Sequence, residues 1–320
     1  MSTYENLHGR RVNVVSSNPS NPKDGEVWYN STLGLLKGYV LGTAAWSAGG
    51  AAPVGNSGMS MAGYKDDAMM WGGDTGGGTP GWPTTSHSYN GSSWTSDGTI
   101  PTQVNVTGQA GVGHTTATMW GGYQPPGSQA NKTYEYDGSS WTAGGDLSDS
   151  RQYCYCTGGG PQTACIAIGG NPNLAEHENY NGTAWSEETD FPSGANWVGT
   201  IGSQTATLAV SGANGTTATW NGSAWTAVPA SLNDNRQYGG AGGADSSEGY
   251  IFAGGSTNKT ELYNGTTWTS QPNMANSRTG TAGGSGIQNN GLIAGGWYPG
   301  NTAVEEFTAA AVETKTLTTS

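Results

Sequence analysis

A chain of 320 residues with a net charge of −12 and only 11% charged residues lacks the basic stripe of a general nucleic-acid binder and suits an anionic membrane surface no better. Its length excludes a small stapled scaffold, and it has no apolar run near the roughly 18 residues of a spanning helix. Glycine is abundant, at 55 residues, and only 33% of the chain is hydrophobic. Disordered chains share that composition but are poor in aromatics. The 13 Trp and 15 Tyr here, recurring at regular spacing, predict short strands joined by Gly-rich turns.

Residues 1 to about 25 read as an extended arm with one short strand at Val12-Asn13-Val14-Val15. Arg10, Arg11, Lys23 and Lys37 are four of the eleven basic residues, so this end is suited to an acidic neighbour. The start, Met1 to Asn6, has no apolar signal core, which predicts a protein made in a cytoplasm and not exported by that route. A hairpin follows, carrying Trp28 and Tyr29 and leading to Trp46. Its run from Asn21-Pro22-Lys23-Asp24-Gly25-Glu26-Val27-Trp28-Tyr29-Asn30 through Leu36-Lys37-Gly38-Tyr39-Val40 resembles the N-terminal hairpin of structural proteins from tailed bacteriophages, marine ones especially. The resemblance covers about 30 residues and implies an attachment segment at 1–45, with Arg10, Arg11, Trp28 and Tyr29 as its contact residues.

The remainder is repetitive. Tyr89-Asn90-Gly91-Ser92-Ser93-Trp94 returns at Tyr136–Trp141, Tyr180–Trp185, Trp220–Trp225 and Tyr263–Trp268, with successive Trp residues 47, 44, 40 and 43 apart. Asn-Gly and Asp-Gly predict a type I′ turn between two strands. Ahead of each hairpin an apolar strand runs into glycine: Met69-Met70-Trp71-Gly72-Gly73, Thr118-Met119-Trp120-Gly121-Gly122, Ile166-Ala167-Ile168-Gly169-Gly170, Leu208-Ala209-Val210-Ser211-Gly212, Ile251-Phe252-Ala253-Gly254-Gly255 and Leu292-Ile293-Ala294-Gly295-Gly296. Near-continuous apolar runs mark strands buried on both faces.

Double glycine, then Tyr, then Trp at fixed offsets resembles the kelch repeat over residues 46–308. So does an Arg opening the first strand, seen at Arg151, Arg236 and Arg278. That resemblance implies an all-β, kelch-like β-propeller of four-stranded blades, preceded by the N-terminal arm and hairpin. The period is shorter than the roughly 50 residues of kelch, which points to trimmed loops. Six glycine signatures match six closing tryptophans: Trp46, Trp94, Trp141, Trp185, Trp225 and Trp268. The last repeat, with its third strand at Val304-Glu305-Glu306-Phe307, has no closing Trp, and Trp46 has no glycine signature before it. Trp46 is therefore expected to supply the last blade's fourth strand, giving six blades. The alternative is seven, which would combine the hairpin at 26–46 with the stretch Ala311–Leu317, otherwise a C-terminal tail at 309–320.

The residues offer no catalytic set. The four histidines fall at unlike positions, His8 in the arm, His87 in a third strand, His114 in a first strand and His177 in a loop or third strand. The carboxylates of Glu187-Glu188-Asp190, Glu176-Glu178 and Glu305-Glu306 read as solvated charges rather than a glycosidase pair. Asp137 lies four residues before Trp141, one short of a sialidase Asp box. Cys154, Cys156 and Cys165 read as reduced, half-buried thiols, an odd number without a zinc pattern. No metal or cofactor is expected. The aromatics next to Pro or Gly, Trp82, Tyr123, Trp197, Trp297 and Tyr298, are the candidate contact residues, because Trp and Tyr stack on sugars and anchor interfaces. Together these readings predict a non-enzymatic virion structural protein, mounted through residues 1–45 with its propeller outward as a tail, fibre or capsid-surface module. Its expected partners are other virion proteins and host-surface glycan, with neither nucleic acid nor membrane insertion. By analogy with other sheet-rich phage modules, a homo-oligomer joins these expectations. The alternative function is a bacterial kelch-type module, lectin-like or protein-binding.

Overall fold

The computed structural model describes residues 12–19, 23, 25–76, 81–154, 157–158, 160–212, 215–234, 236, 239–278, 290–296, 301–310 and 312–317. All regular elements among them are strands. The chain is all-β, built of many small antiparallel sheets, and divides into two compact units, Met1–Ala45 with Ala309–Ser320 and Trp46–Thr308.

The smaller unit is one four-stranded sheet ordered Asn13–Val15, Val27–Asn30, Leu35–Leu41, Val312–Thr316. The expected hairpin is present, with Trp28 opposite Lys37 and Tyr29 opposite Leu36. The C-terminal stretch is not a tail by itself. It pairs antiparallel with the hairpin, Thr314 opposite Tyr39. Alternation sends Trp28 and Tyr29 to opposite faces. Trp28 is fully buried, its Nε1 donating to Asn18 Oδ1 at 3.3 Å. The Tyr29 face is open, with Val14, Val40 and Leu317 exposed beside it. Six of the seven exposed large hydrophobics among the described residues belong to this unit. It holds five basic and four acidic residues, against six and nineteen in the larger unit.

Among the described residues the larger unit contains, in chain order, six sheets of three or more strands, and a two-stranded ribbon of Tyr123–Gln124 with Ser128–Gln129. Sheet one is Ser60–Tyr64, Asp67–Trp71, Thr85–Tyr89 and Trp94–Thr99; sheet two is Gly108–Gly113, Thr116–Trp120, Thr133–Tyr136 and Trp141–Ala143. Sheet three is Ile166–Ile168, His177–Tyr180 and Trp185–Glu187, preceded by the short strand Thr157–Gly158, which joins sheet two's first strand in parallel. Sheet four is Val198–Ser203, Ala206–Ser211, Thr217–Trp220 and Trp225–Ala227; sheet five is Gly240–Asp245, Glu248–Phe252, Thr260–Tyr263 and Trp268–Gln271. Sheet six is Gly291–Ala294 and Val304–Thr308, completed by Ala45–Ala48. The strand carrying Trp46 thus lies where the pattern of deficits predicted.

The recurring turn differs from expectation. Tyr89 faces Trp94 directly, as do Tyr136 and Trp141, Tyr180 and Trp185, Trp220 and Trp225, and Tyr263 and Trp268. A type I′ turn needs positive φ at two successive residues, but here only the glycine has it (Gly91, φ 88°). The Asn instead works through its side chain. Asn90 Oδ1 accepts from the backbone N–H of Ser92 and Ser93, and Asn181, Asn221 and Asn264 repeat the pattern. Asp137 does the same, and the N–H groups of Ser139 and Ser140 with the Ser139 hydroxyl hold its carboxyl below the ordinary value. The sequence signal was therefore an Asx turn.

Successive sheets share cores, as apolar strands with two buried faces require. Met69 and Trp71 of sheet one pack with Met119 and Tyr136 of sheet two; Ile201 and Leu208 of sheet four with Ile251 and Tyr263 of sheet five; Phe252 of sheet five with Ile293 of sheet six. One cluster joins sheet two to three and on to four. Another joins Leu292, Ala294 and Val304 of sheet six to Met59, Met61 and Tyr89 of sheet one. Hydrogen bonds follow the same succession. Trp94, Trp141, Trp185, Trp225 and Trp46 each donate Nε1 to the sheet before their own or the segment following it: Gly50 O, Ser86 Oγ, Thr133 Oγ1, Thr189 O and Thr260 Oγ1.

The glycines after the second strands approach the next sheet closely. Gly72, Gly121, Gly169 and Gly295 have φ of 60–68°, and a Cβ there would meet a backbone oxygen of the next sheet's lead-in at 2.3–2.6 Å. The following N–H donates to that same lead-in: Gly73 to Val104 O, Gly122 to Arg151 O, Gly170 to Ala195 O, Gly254 to Arg278 O and, from sheet six back to sheet one, Gly296 to Asn56 O at 3.0 Å.

Candidate functional site

The residues whose carbonyls accept that bond lie in the segments leading into the next sheet. Arg151 and Arg278 are two of them, and Arg236 holds the like place ahead of sheet five. Arg151 is fully buried, donates to the carbonyls of Gly169 and Glu176, and pairs with Glu178 at 2.5 Å. Arg278 repeats this with the Gly295 and Ala303 carbonyls and Glu305 at 2.8 Å, and Arg236 with the Lys259 carbonyl and Glu261. Each Glu stands two residues before the third-strand aromatic. Its carboxylate also accepts the backbone N–H three residues before the Arg: Ser148, Asn233 and Ala275. Glu178 and Glu305 are thus corrected from solvated charges to buried clamps. Glu306 accepts from the Tyr89 hydroxyl at 2.6 Å, and Glu135 from Tyr180 in the same way. Burial and that bond push the Tyr89 phenol up to about 12. Glu187 and Asp190 remain exposed.

The other titratable candidates also have structural surroundings. His114 lies in the turn after sheet two's first strand, not in the strand, with Nδ1 2.5 Å from Asp67. His177 sits in a third strand, edge-on to Trp220 at 4.7 Å, and burial lowers its pKa. Cys154 and Cys165 are buried, and burial pushes the Cys154 thiol up to about 11. Cys156 lies outside the described residues. Among the described residues no three His, Cys, Asp or Glu converge as metal ligands.

Of the contact aromatics, Trp82, Tyr123 and Trp197 gather at one end of these sheets, where second strands finish and first strands begin. Trp82 and Tyr123 lie in loops that follow the glycine pairs of sheets one and two, ring centroids 6.0 Å apart. Trp197 stands before the first strand of sheet four and packs on Tyr153, its counterpart before sheet three, at 5.4 Å. Tyr123 and Tyr153 are close enough for Tyr123 to raise the Tyr153 phenol, on top of the larger effect of burial. A ladder runs beneath them: Val106 N–H donates to Gly58 O, Tyr153 to Val106 O and Trp197 to Tyr153 O. All four residues are left-handed, with φ of 62° at Gly58, 52° at Val106, 60° at Tyr153 and 54° at Trp197. For Val, Tyr and Trp this conformation costs about 1–3 kcal/mol each, and such strain concentrates at binding sites.

Trp82 is only 8% exposed, so it supports the cluster more than it presents a surface, whereas Tyr123, Tyr153 and Trp197 are half-buried. Trp297 and Tyr298 lie outside the described residues, as do Arg10 and Arg11. Tyr153 was missed by sequence reading. The signal was its place two residues after Arg151, matching Trp197 two after Ala195. The loop around Tyr123, residues 123–130, is Tyr-Gln-Pro-Pro-Gly-Ser-Gln-Ala and carries no charge. The chemistry on offer is aromatic surface with amide and hydroxyl partners. Compared with known proteins, the sequence matches no protein-family model and no curated protein.

Proposed function

We propose that the protein is a non-enzymatic virion structural protein of a tailed bacteriophage, a six-bladed kelch-like β-propeller that binds host-surface glycan through its aromatic end. The observation that carries the binding role is the strained Tyr123–Tyr153–Trp197 cluster beside an uncharged loop. Such a surface favours a neutral sugar over a charged ligand.

The propeller reading draws on the return from sheet six to sheet one. A shared core, the Gly296–Asn56 bond and the Tyr89–Glu306 bond join those sheets directly. A seventh blade between them would have to break all three, which favours six. The phage placement draws on the N-terminal resemblance. The smaller unit suits mounting on a partner: it is near-neutral and concentrates the exposed apolar side chains. The reading adds 309–320 to the mounting segment, because the two ends share a sheet.

A glycan array probed with the full chain and with Tyr123→Ala/Tyr153→Ala tests the binding role. Binding to a neutral glycan that the double variant loses is expected; no binding on the array, or binding the variant keeps, overturns it. Incorporation into particles by a chain lacking residues 1–45 would overturn the mounting role.

A further inference from the structure

Sheet six differs from the others in how it is finished. Its outer strand comes from the start of the larger unit, so the closing Trp46 is followed by Ser47-Ala48-Gly49-Gly50-Ala51. Sheet two has the same small residues, Ala143 and Gly144, in the places of Ala48 and Gly49, whereas in sheet three those places are held by Glu187 and Glu188. The small side chains leave a groove of about 380 Å³ between this strand and the 273–276 loop that leads into sheet six. That volume is at the low end of ligand clefts, which run from roughly 300 to 1,000 Å³.

Its lining is mixed. Trp46 is half-buried, packed on Phe252 and Phe307 at 5.2 and 5.1 Å with Nε1 donating to Thr260 Oγ1, and the part of its indole that lines the groove is the aromatic wall; Asn273 and Asn276, both exposed, contribute amides at the rim. The Glu305 carboxylate, on a residue only 4% exposed, also lines the groove. Its charge is already met by Arg278 Nη2, and it accepts in addition from Asn276 Nδ2 and the Ala275 N–H. The groove therefore offers an aromatic wall, two amides and a neutralised carboxylate–guanidinium pair, and no unpaired charge among its lining residues.

The geometry points to a second binding site, in which this groove takes one neutral sugar unit. The apolar face of the ring packs on Trp46, and adjacent hydroxyls bond the amides of Asn273 and Asn276, the arrangement by which aromatic and amide side chains hold an uncharged polyol. A charged sugar would have to bring its own counter-charge into a site that has none to spare. The site is independent of the aromatic end, which is built on the lead-ins and loops of sheets one to four. A single hexoside has few atoms, so millimolar affinity is expected.

The test is an NMR titration of the ¹⁵N-labelled full chain with the methyl α-glycosides of mannose, glucose and galactose, each taken to tens of millimolar. At least one should shift the Trp46 indole N–H and the side-chain amides of Asn273 and Asn276. Ala48→Trp, which fills the groove from an exposed strand position, should abolish those shifts. Asn273→Ala, on the exposed rim, should weaken binding by about tenfold at most, the value of one hydrogen bond, and serves if the Trp variant does not fold. Tyr123→Ala/Tyr153→Ala should leave the groove shifts intact, which separates this site from the glycan-array result. No shift at these groups with any of the three glycosides, shifts that persist in a folded Ala48→Trp variant, or an affinity unchanged by Asn273→Ala, would overturn the proposal.

Discussion

Sheets three and one share the run of second, third and fourth strands and solve the same problem differently. Both must fasten the lead-in of the first strand to the third strand beneath a glycine pair. Sheet three uses Arg151 and Glu178, fully desolvated and bonded to each other. Sheet one has Asn56 and His87 in those places. Asn56 Nδ2 donates to Gly72 O at 2.8 Å, as Arg151 Nη1 does to Gly169 O, but Asn56 Oδ1 and His87 Nε2 are without hydrogen-bond partners among the described residues. The fold therefore needs the amide-to-carbonyl bond and can do without the ion pair. A buried pair is weak evidence of net stability, whereas breaking one is costly.

The largest expected effect breaks the pair on one side. Glu178→Ala leaves Arg151 buried and uncompensated, and should cost about 3–5 kcal/mol in urea unfolding. Replacing both with the residues of sheet one, Arg151→Asn with Glu178→His, keeps a donor for Gly169 O and should cost clearly less than the single variant. If the double variant loses as much as the single, the pair itself is the fastener and sheet one is held some other way.

The glycine pair gives the next effect. Gly121→Ala places a methyl 2.6 Å from Arg151 O at a φ of 62°, and should cost about 2–4 kcal/mol. Sheet five already tolerates this change: Ala253 holds the corresponding place at a φ of 58°. Ala253→Gly should relieve about 1 kcal/mol of left-handed strain and lose a buried methyl worth about 0.8 kcal/mol, leaving the melting point nearly unchanged.

A smaller loss, about 1 kcal/mol, is expected from Asn181→Ala, which removes the acceptor for two turn N–H groups. Asn181→Asp should retain most of that stability, since Asp137 serves the same turn in sheet two.

The smallest effect separates sheet one by pH. Burial lowers the His87 pKa, more strongly than the neighbouring Asp97 raises it, and burial lowers His177 as well. Above the ordinary value of about 6.5 both are neutral whether folded or unfolded. As pH falls below it, the unfolded chain takes up protons that the folded chain refuses, so stability drops until the lowered folded pKa is passed. Denaturation midpoints from pH 7.5 to 5 should show this decline, and His87→Asn with His177→Asn should flatten it. An unchanged slope would mean that carboxylates alone govern the acid limb.

Much of this architecture was legible because the repeat states it. The apolar second strands, the direct Tyr–Trp pairing and the Trp46 strand on sheet six all follow from offsets that recur along the chain. The buried Glu residues were not legible, because alternating exposure is a property of a strand with one wet face, and these third strands have little of one. The turn was misread for another reason. Asn before Gly signals both a left-handed backbone and an Asx turn, and only the φ values separate them. At the aromatic end, Tyr123 and Trp197 could be singled out by their Gly and Pro neighbours. Tyr153 follows Gln152 instead, and only alignment of the lead-ins brings it to Trp197.

The strand at Ala45–Ala48 has a partner that does not exist when it leaves the ribosome. Val304–Thr308 is made more than 250 residues later, a delay of about 10–50 s at a translation rate of roughly 5–20 residues per second. Sheets one to five have their strands in hand well before then, and the nascent chain carries a bare strand edge at the growing front of its core until residue 308 is free. Premature termination anywhere in the last repeat would leave that edge permanently unpaired, a template for the same segment in another truncated copy. Completion of this core is thus timed by the strand Val304–Thr308, and fragments that stop short of it are expected to aggregate rather than persist as smaller folded versions.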